Sequence, residues 1–530
     1  MATGGVFALI TRDERFDRYF QATGALSRRL AGVARARAAA GEPCAAPTFA
    51  DVERTHVLYV NSQYRPFVSV GTEYTRVKAT GATALGPAGS SLDFAFPAHG
   101  HFVSDMAFHV RVRPLGSAAA AAAGAAPTAA APLYRFCALP GARLFRSVAF
   151  SSGGVDVDAY TPDDVAARAK FFLGADHRGG WERAVGQQEA REATFLGNGF
   201  TGTLAYRDGP QTPKLYQEGL DLFVPCEFDF CRGPDRALLN ELLPASQRRV
   251  RAELAPLDDF LRAFVPGGEP GALVQVPLPF ASLAVEVDLY INHLYLNPDV
   301  HALFAARVGF SLVRVHRRQA TALVGAEGRV LLDGLRFPVE YMAMGVRPRA
   351  QAADFDRWHL MGAPRARADP QALLVPAVLW NVAQGAAQVV VRRAAEASTL
   401  ESVLGSVRLV AKGTELFPLL PQAFFGAYLP LRYRDGGAGA GGAPGPAGGL
   451  VVSPADVGAF LVSFCLQPGG AGASGYHNLS AGRELYLEYR LKPEIAAALP
   501  PGSTYELVVS ASALNFLVRH GDHVFLKYSV

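Results

Sequence analysis

The stretch Val285–His316 constrains the fold more than any other part of the sequence. Val285, Val287, Leu289 and Ile291 alternate with Glu286, Asp288, Tyr290 and Asn292, the period of a strand with one buried face. The alternation breaks at His293 and resumes one residue out of step at Leu294 and Leu296, which predicts a β-bulge. Asn297-Pro298-Asp299 supplies an N-cap, a first-turn proline and an early carboxylate for a short helix striped by Val300, Leu303, Phe304 and Val308. Phe310–His316 is strand again. A similar unit lies upstream. Leu220–Cys231 reads as a strand, Gly233-Pro234-Asp235 opens a helix carrying Leu238, Leu239, Leu242 and Leu243, and Arg248–Leu254 returns as strand. The repetition predicts two copies of one β architecture in a single chain.

The rest of the chain fits that expectation. Extended patterns cover Tyr64–Lys78, Leu92–Phe96, Phe102–Val112 and Leu133–Phe150, and Gly153-Gly154 makes a turn. Thr161-Pro162-Asp163-Asp164 opens a helix reaching about Phe172. Further strands are expected at Leu335–Val346, Gln388–Arg393, Ser406–Ala411, Phe460–Leu466, Glu484–Arg490 and Leu507–Val518, before a closing hairpin at Gly521-Asp522. Ser117–Ala131, Leu173–Pro213 and Gly436–Gly449 read as exposed loops. Pro266–Gly271 reads as a linker. The expected division is an N-terminal segment 1–55 with one or two helices in Arg12–Ala40, a first sandwich 56–265, a linker 266–272 and a second sandwich 273–530. Short strands, long loops and few helices at this domain size predict an all-β pair of eight-stranded jelly rolls.

Composition excludes several function classes. Half of the 530 residues are hydrophobic and 18% charged, enough for substantial cores. A net charge of +4 is small for this length and argues against a dedicated nucleic-acid binder. Cys44, Cys137, Cys226, Cys231 and Cys465 are too scattered for a disulfide framework or a zinc site, and read as core thiols in a reducing compartment. Cys226 and Cys231 are expected on opposite faces of one strand. The N-terminus lacks a signal pattern, Ala2 stands where myristoylation needs glycine, and no long uncharged apolar stretch suits a membrane span. The expected product is soluble.

Catalytic constellations are missing: there is no phosphate loop, no His-Glu-x-x-His and no nucleophile elbow. His99 and His101 could ligate a metal, but without partner spacing they read as turn residues. Asp156, Asp158, Asp163 and Asp164 resemble a calcium cluster, yet two sit in a strand and two in a helix's first turn, where carboxylates favour the dipole. The sequon at Asn478-Leu479-Ser480 is expected to stay unmodified. Trp181, Trp358 and Trp380 could form a sugar platform but read as packing residues. Arg248-Arg249-Val250-Arg251 reads as a solvated strand face. No catalytic, cofactor or metal site is assigned.

Specific strings add what periodicity cannot. They are Gly4–Thr11 (GGVFALIT), Thr55–Lys78, Val155–Phe172, Gly209–Gln217 (GPQTPKLYQ), Leu289–His316, Phe337–Met342 (FPVEYM), Ser474–Ser480 (SGYHNLS) and Glu506–Leu517 (ELVVSASALNFL). In number and order they resemble the major capsid proteins of nucleocytoplasmic large DNA viruses, and within that group the African swine fever virus type. The resemblance implies a non-enzymatic double jelly roll whose homotrimers form pseudo-hexagonal capsomers of an icosahedral shell. It also implies neighbouring capsomers, minor capsid and penton proteins as partners, folding help from a chaperone, and assembly in the host cytoplasm over an inner membrane faced by the N-terminal segment. No cofactor and no specific nucleic acid are implied. The loop before Gly209 is shorter here than in that type, and the alanine-rich and glycine-rich loops have no matching counterpart. The competing expectations are a minor or penton-type capsid component and a two-sandwich carbohydrate-binding protein.

Overall fold

The computed structural model describes residues 25–41 and 70–528. Residue 82 and short stretches within 189–208, 245–247, 268–272, 299–308, 368–396, 436–450, 481–483, 498–503 and 521–522 are excepted. Ala25–Ala39 is helix α1. The strands that follow are β1 (Val70–Lys78), β2 (Ser90–Ala95), β3 (Phe102–Val112), β4 (Leu133–Phe136), β5 (Phe145–Ser152) and β6 (Val155–Tyr160). Helices α2 (Pro162–Phe172) and α3 (Ala175–Ala184) precede β7 (Leu220–Pro225), β8 (Arg248–Leu254), β9 (Leu261–Pro266), β10 (Leu273–Val276) and β11 (Leu283–Leu296). The C-terminal half holds β12 (Phe310–Leu323), β13 (Glu327–Leu331), β14 (Pro338–Pro348), β15 (Leu404–Ala411) and β16 (Thr414–Pro421). It closes with β17 (Ala459–Ser463), β18 (Leu485–Leu491), β19 (Tyr505–His520) and β20 (His523–Leu526).

Two sandwiches result. In the first, a sheet ordered β1-β11-β3-β7 packs on one ordered β2-β8-β5-β6, with Thr80–Gly81 added at the β2 edge. In the second, β12-β19-β14-β17 packs on β13-β18-β15-β16. Alternation explains the cores. Val285, Val287, Leu289 and Ile291 of β11 are buried, as are Met106, Phe108 and Val110 of β3 and Leu485, Leu487 and Tyr489 of β18. Between the first pair of sheets Phe108 stacks on Phe145 and meets Phe94 at a tilt, with ring centroids 4.5 and 5.4 Å apart.

The bulge expected at His293 is present as a register shift between Asn292 and His293 against β3. Helical residues follow at Pro298, His301, Ala302 and Ala305, and the His301 amide donates to the Asn297 carbonyl. Val300, Leu303, Phe304 and Val308 lie outside the described residues. The expected linker, however, does not separate β11 from the first sandwich. β11 is hydrogen-bonded on one side to β1 and on the other to β3, so its sheet membership is with the N-terminal half. Alternation specifies which face a strand buries, not which sheet receives it.

Other expectations also shift. The strand from Leu220 ends at Pro225, and Asp229–Arg232 is a 3-10 turn, so Cys226 and Cys231 do not share a strand. No helix carries Leu238, Leu239, Leu242 and Leu243; Leu238–Leu239 instead pairs with Phe102 and Val103, and Asn240–Leu242 is another 3-10 turn. All four leucines are nevertheless buried. Leu173–Pro213 is not structureless, since it holds α3 and a hairpin pairing Thr194–Gly197 with Phe200–Thr203. Ala118–Ala122 forms one exposed helical turn capped by Ser117. Gly153 and Gly154, both with positive φ, turn β5 into β6. The closing hairpin pairs His520 with His523, while its turn residues and the glycine-rich loop are outside the described set.

Candidate functional site: an ionic seam between the sandwiches

The two sandwiches meet along β6, α2 and the turns at 229–236 on one side, and β12, β14 and β19 on the other. α2 starts here because Thr161 and Asp164 form a capping box behind Pro162. That leaves the remaining carboxylate atoms of the first turn aimed at the second sandwich. Asp164 Oδ1 accepts from Ser510 Oγ at 2.5 Å. Asp163 accepts from Arg347 at 3.0 and 3.2 Å and also from Arg318. Arg347 reaches on to Glu506 at 2.8 Å and to the Trp358 carbonyl. On β6, Asp158 accepts from the His316 backbone amide at 2.7 Å and pairs with its ring at 2.8 Å.

The four aspartates of the supposed calcium cluster therefore go separate ways: Asp163 to arginines, Asp158 to His316 and Asp164 to the hydroxyls of Thr161 and Ser510. A bulge after Phe150 separates buried Asp158 from exposed Asp156, although they are two residues apart. Among the described residues no group of three or more His, Cys, Asp or Glu side chains is placed to hold a metal.

Further along, buried Asp229 pairs with Arg236 at 2.8 Å and accepts from the Arg314 amide at 3.2 Å, while Arg314 grips Glu340 at 2.5 and 3.3 Å. Burial raises the Asp229 carboxyl, but Arg314, Arg236 and Arg232 outweigh it and hold it below the usual range. Glu340 is raised, because burial there exceeds the help from Arg314. At the far end of α2, Lys170 pairs with Asp456 at 2.7 Å and donates to the His359 carbonyl. Trp358 Nε1 donates to the Ala138 carbonyl at 2.9 Å, and Arg143 lies over its ring. The contacts of Asp158, Asp163 and Lys170 with the second sandwich join residues more than 150 positions apart. Buried pairs add little net stability, but each resists being broken because the remaining charge would be stranded.

The other candidate residues fall elsewhere. His101 stacks on His301 with ring centroids 3.8 Å apart and accepts from the Leu296 amide; His99 meets His293 edge-on. Arg248 is buried, contrary to the solvated face expected, and braces the 240–244 turn through Asn240, Leu243 and Pro244 oxygens. Arg249 and Arg251 are exposed. Trp181 lines a cavity of about 790 Å³ with Arg135, Lys170, Arg178 and Gln211, whereas Trp358 is buried away and the side chain of Trp380 is not described. Asn478 is exposed and accepts from the Ser480 amide. Burial pushes the Cys137 thiol up to about 12 and Cys226 higher still, so neither supplies a nucleophile.

Sequence patterning missed Arg314, Glu340 and Arg347. Their signal was present: a charge inside an unbroken apolar run, as in Phe337–Met342, must be buried with a partner.

No family model matches the sequence. Curated proteins do match. The hexon protein p72 of African swine fever virus (strain Badajoz 1971 Vero-adapted) is 25% identical over 682 residues, covering 100% of both chains. The major capsid protein of the Pig/Kenya/KEN-50/1950 isolate gives the same identity and coverage. The chain resembles viral major capsid proteins from end to end. Among solved structures, the Faustovirus major capsid protein superposes with a TM-score of 0.69 at 23% identity, over 96% of this chain and 100% of that one. The PBCV-1 capsid structure gives 0.57 at 15% identity, over 89% and 99%. The fold is the double jelly roll of these capsid proteins. An alignment of 682 residues against a chain of 530 means that the swine fever relatives carry segments absent here.

Proposed function

We propose that the chain is the major capsid protein of a large DNA virus, a structural and non-enzymatic building block of an icosahedral shell. The observation that carries this is the end-to-end match to major capsid proteins, in sequence and in the pairing of two sandwiches. The seam supports it physically, because a shell unit must transmit load between its rolls without hinging. Function then resides in edges and faces, where area and shape complementarity dominate.

In this reading the rolls span 70–296 and 310–528, and three chains form a pseudo-hexagonal capsomer that tiles with its neighbours. Ser117–Ala131, Leu173–Pro213 and Gly436–Gly449 are outward loops. Residues 1–55 form the base toward an inner membrane, with minor capsid and penton proteins as further partners and a chaperone assisting folding in the host cytoplasm. No helix among the described residues is long and apolar enough to cross a membrane. Negative-stain imaging of the purified protein tests the capsomer. Particles with a hexagonal outline are expected; a field of single two-lobed particles overturns it.

A further inference from the structure

Most buried arginines of the seam have a carboxylate. Arg236, Arg314 and Arg347 pair with Asp229, Glu340 and Asp163. Arg248, buried outside the seam, has none, but its guanidinium donates to four oxygen acceptors. Arg317 on β12 has neither arrangement. Its Nη1 donates to the His316 carbonyl at 3.3 Å, and its Nε is shielded from solvent without an acceptor. Burial holds the group below the usual guanidinium range, with Asp158 only partly offsetting it.

The guanidinium lies 4.1 Å from the ring centroid of Phe337. Phe337 has φ +97°, a conformation that side chains other than glycine rarely adopt. It is held there by its amide donating to Ser480 Oγ at 2.7 Å and its carbonyl accepting from Leu479 at 3.1 Å. The ring is a fixed platform for the cation.

A cavity of about 490 Å³ opens beside this pair, lined by Thr161, Arg317, Arg318, Asp333, Arg336 and Phe337. That volume suits a small molecule. His316 and Asp164 also border it, but they are engaged by Asp158 and by Thr161 and Ser510. Arg318 is engaged by Asp163. Arg336 is exposed and has no ion-pair partner among the described residues, and the one carboxylate left open is Asp333. Two guanidinium groups without an ion pair, and one carboxylate, thus line the same space.

We propose that this cavity binds a small phosphate-class anion, held by Arg317 and Arg336. The planar guanidinium fork matches phosphoryl oxygens in bidentate geometry. Two guanidinium groups outweigh the one carboxylate of Asp333, so the net positive field attracts pyrophosphate, with its larger charge, more than a single phosphoryl group. All the lining residues belong to one chain, so the site does not rest on the capsid reading.

Isothermal titration of the full-length protein with inorganic phosphate and with pyrophosphate tests it. Saturable binding near one pyrophosphate per chain is expected. Arg336→Gln, on an exposed side chain, should weaken it about tenfold, the loss of one charge-assisted contact. Arg317→Lys, which keeps charge but loses the fork, should weaken it too, and Asp333→Asn should tighten it. Equal affinity for phosphate and pyrophosphate supports the site and assigns it to one phosphoryl group. No saturable binding of either anion, or unchanged affinity in Arg336→Gln, overturns the proposal.

Discussion

Lys170, near the end of α2, sits 2.7 Å from Asp456 of the second sandwich, with the two side chains 10% and 3% exposed. Asp456 also accepts from the Met361 and Gly458 amides, so the backbone holds its carboxylate in place beside the lysine. The pair closes one end of the seam that Asp158, Asp163 and Asp229 close elsewhere. Lys170→Met strands the carboxylate and should destabilise the protein by about 3–5 kcal/mol in urea unfolding. The double variant with Asp456→Asn should cost clearly less than the sum of the single variants. Strict additivity would show that the pair does not couple the sandwiches.

The seam also sets a pH profile. Burial lowers His316, but the charge and hydrogen bond of Asp158 outweigh it and raise its pKa overall. Its contribution is therefore complete below the unfolded value near 6.5 and fades as pH rises through the raised folded value. His359 behaves oppositely. Burial first, then Lys170, lowers it to about 3. From about pH 6.5 downward the unfolded chain takes a proton that the folded chain refuses, and stability falls until about pH 3. Denaturation midpoints across pH should flatten on the alkaline side in His316→Gln and on the acid side in His359→Asn. Unaltered profiles in both variants would remove these histidines from the account.

Lys412 turns β15 into β16 with φ +50°, followed by Gly413 at +75°. A left-handed residue at this place favours Asn-Gly over Lys-Gly. Because the lysine is exposed, Lys412→Asn should add about 0.5–1 kcal/mol to stability by relieving backbone strain. A lower melting temperature would contradict the turn geometry.

Gly458 approaches the Met361 backbone so closely that an added Cβ would lie 2.1 Å from its carbonyl oxygen. No side-chain movement relieves a clash with main chain. Gly458→Ala should cost at least about 2 kcal/mol and perturb the neighbouring Asp456 contacts, read by hydrogen exchange at the Met361 amide. Wild-type protection there would show that the two segments are not in contact.

Much of this architecture could be seen in the sequence, and the misses have physical causes. The β11 bulge was visible because His293 interrupts a strict alternation. Its partner sheet was not, since β1 lies more than 200 residues away and period two is the same in either sandwich. The strand at Leu220 reads longer in sequence than it is, because Cys226, Phe228 and Phe230 stay buried after the backbone leaves the ladder at Pro225. α3 escaped notice because Gly179-Gly180 interrupts its ten residues. Of the seam, the acidic half was noticed at Asp158, Asp163 and Asp164. The basic half was not, because nothing local to Arg347 points to Asp163.

The capsid account is tested most directly by light scattering on the full-length protein eluting from a sizing column. It predicts three times the 56.3 kDa chain mass. A mass of one chain persisting at every concentration up to those used for imaging would contradict it.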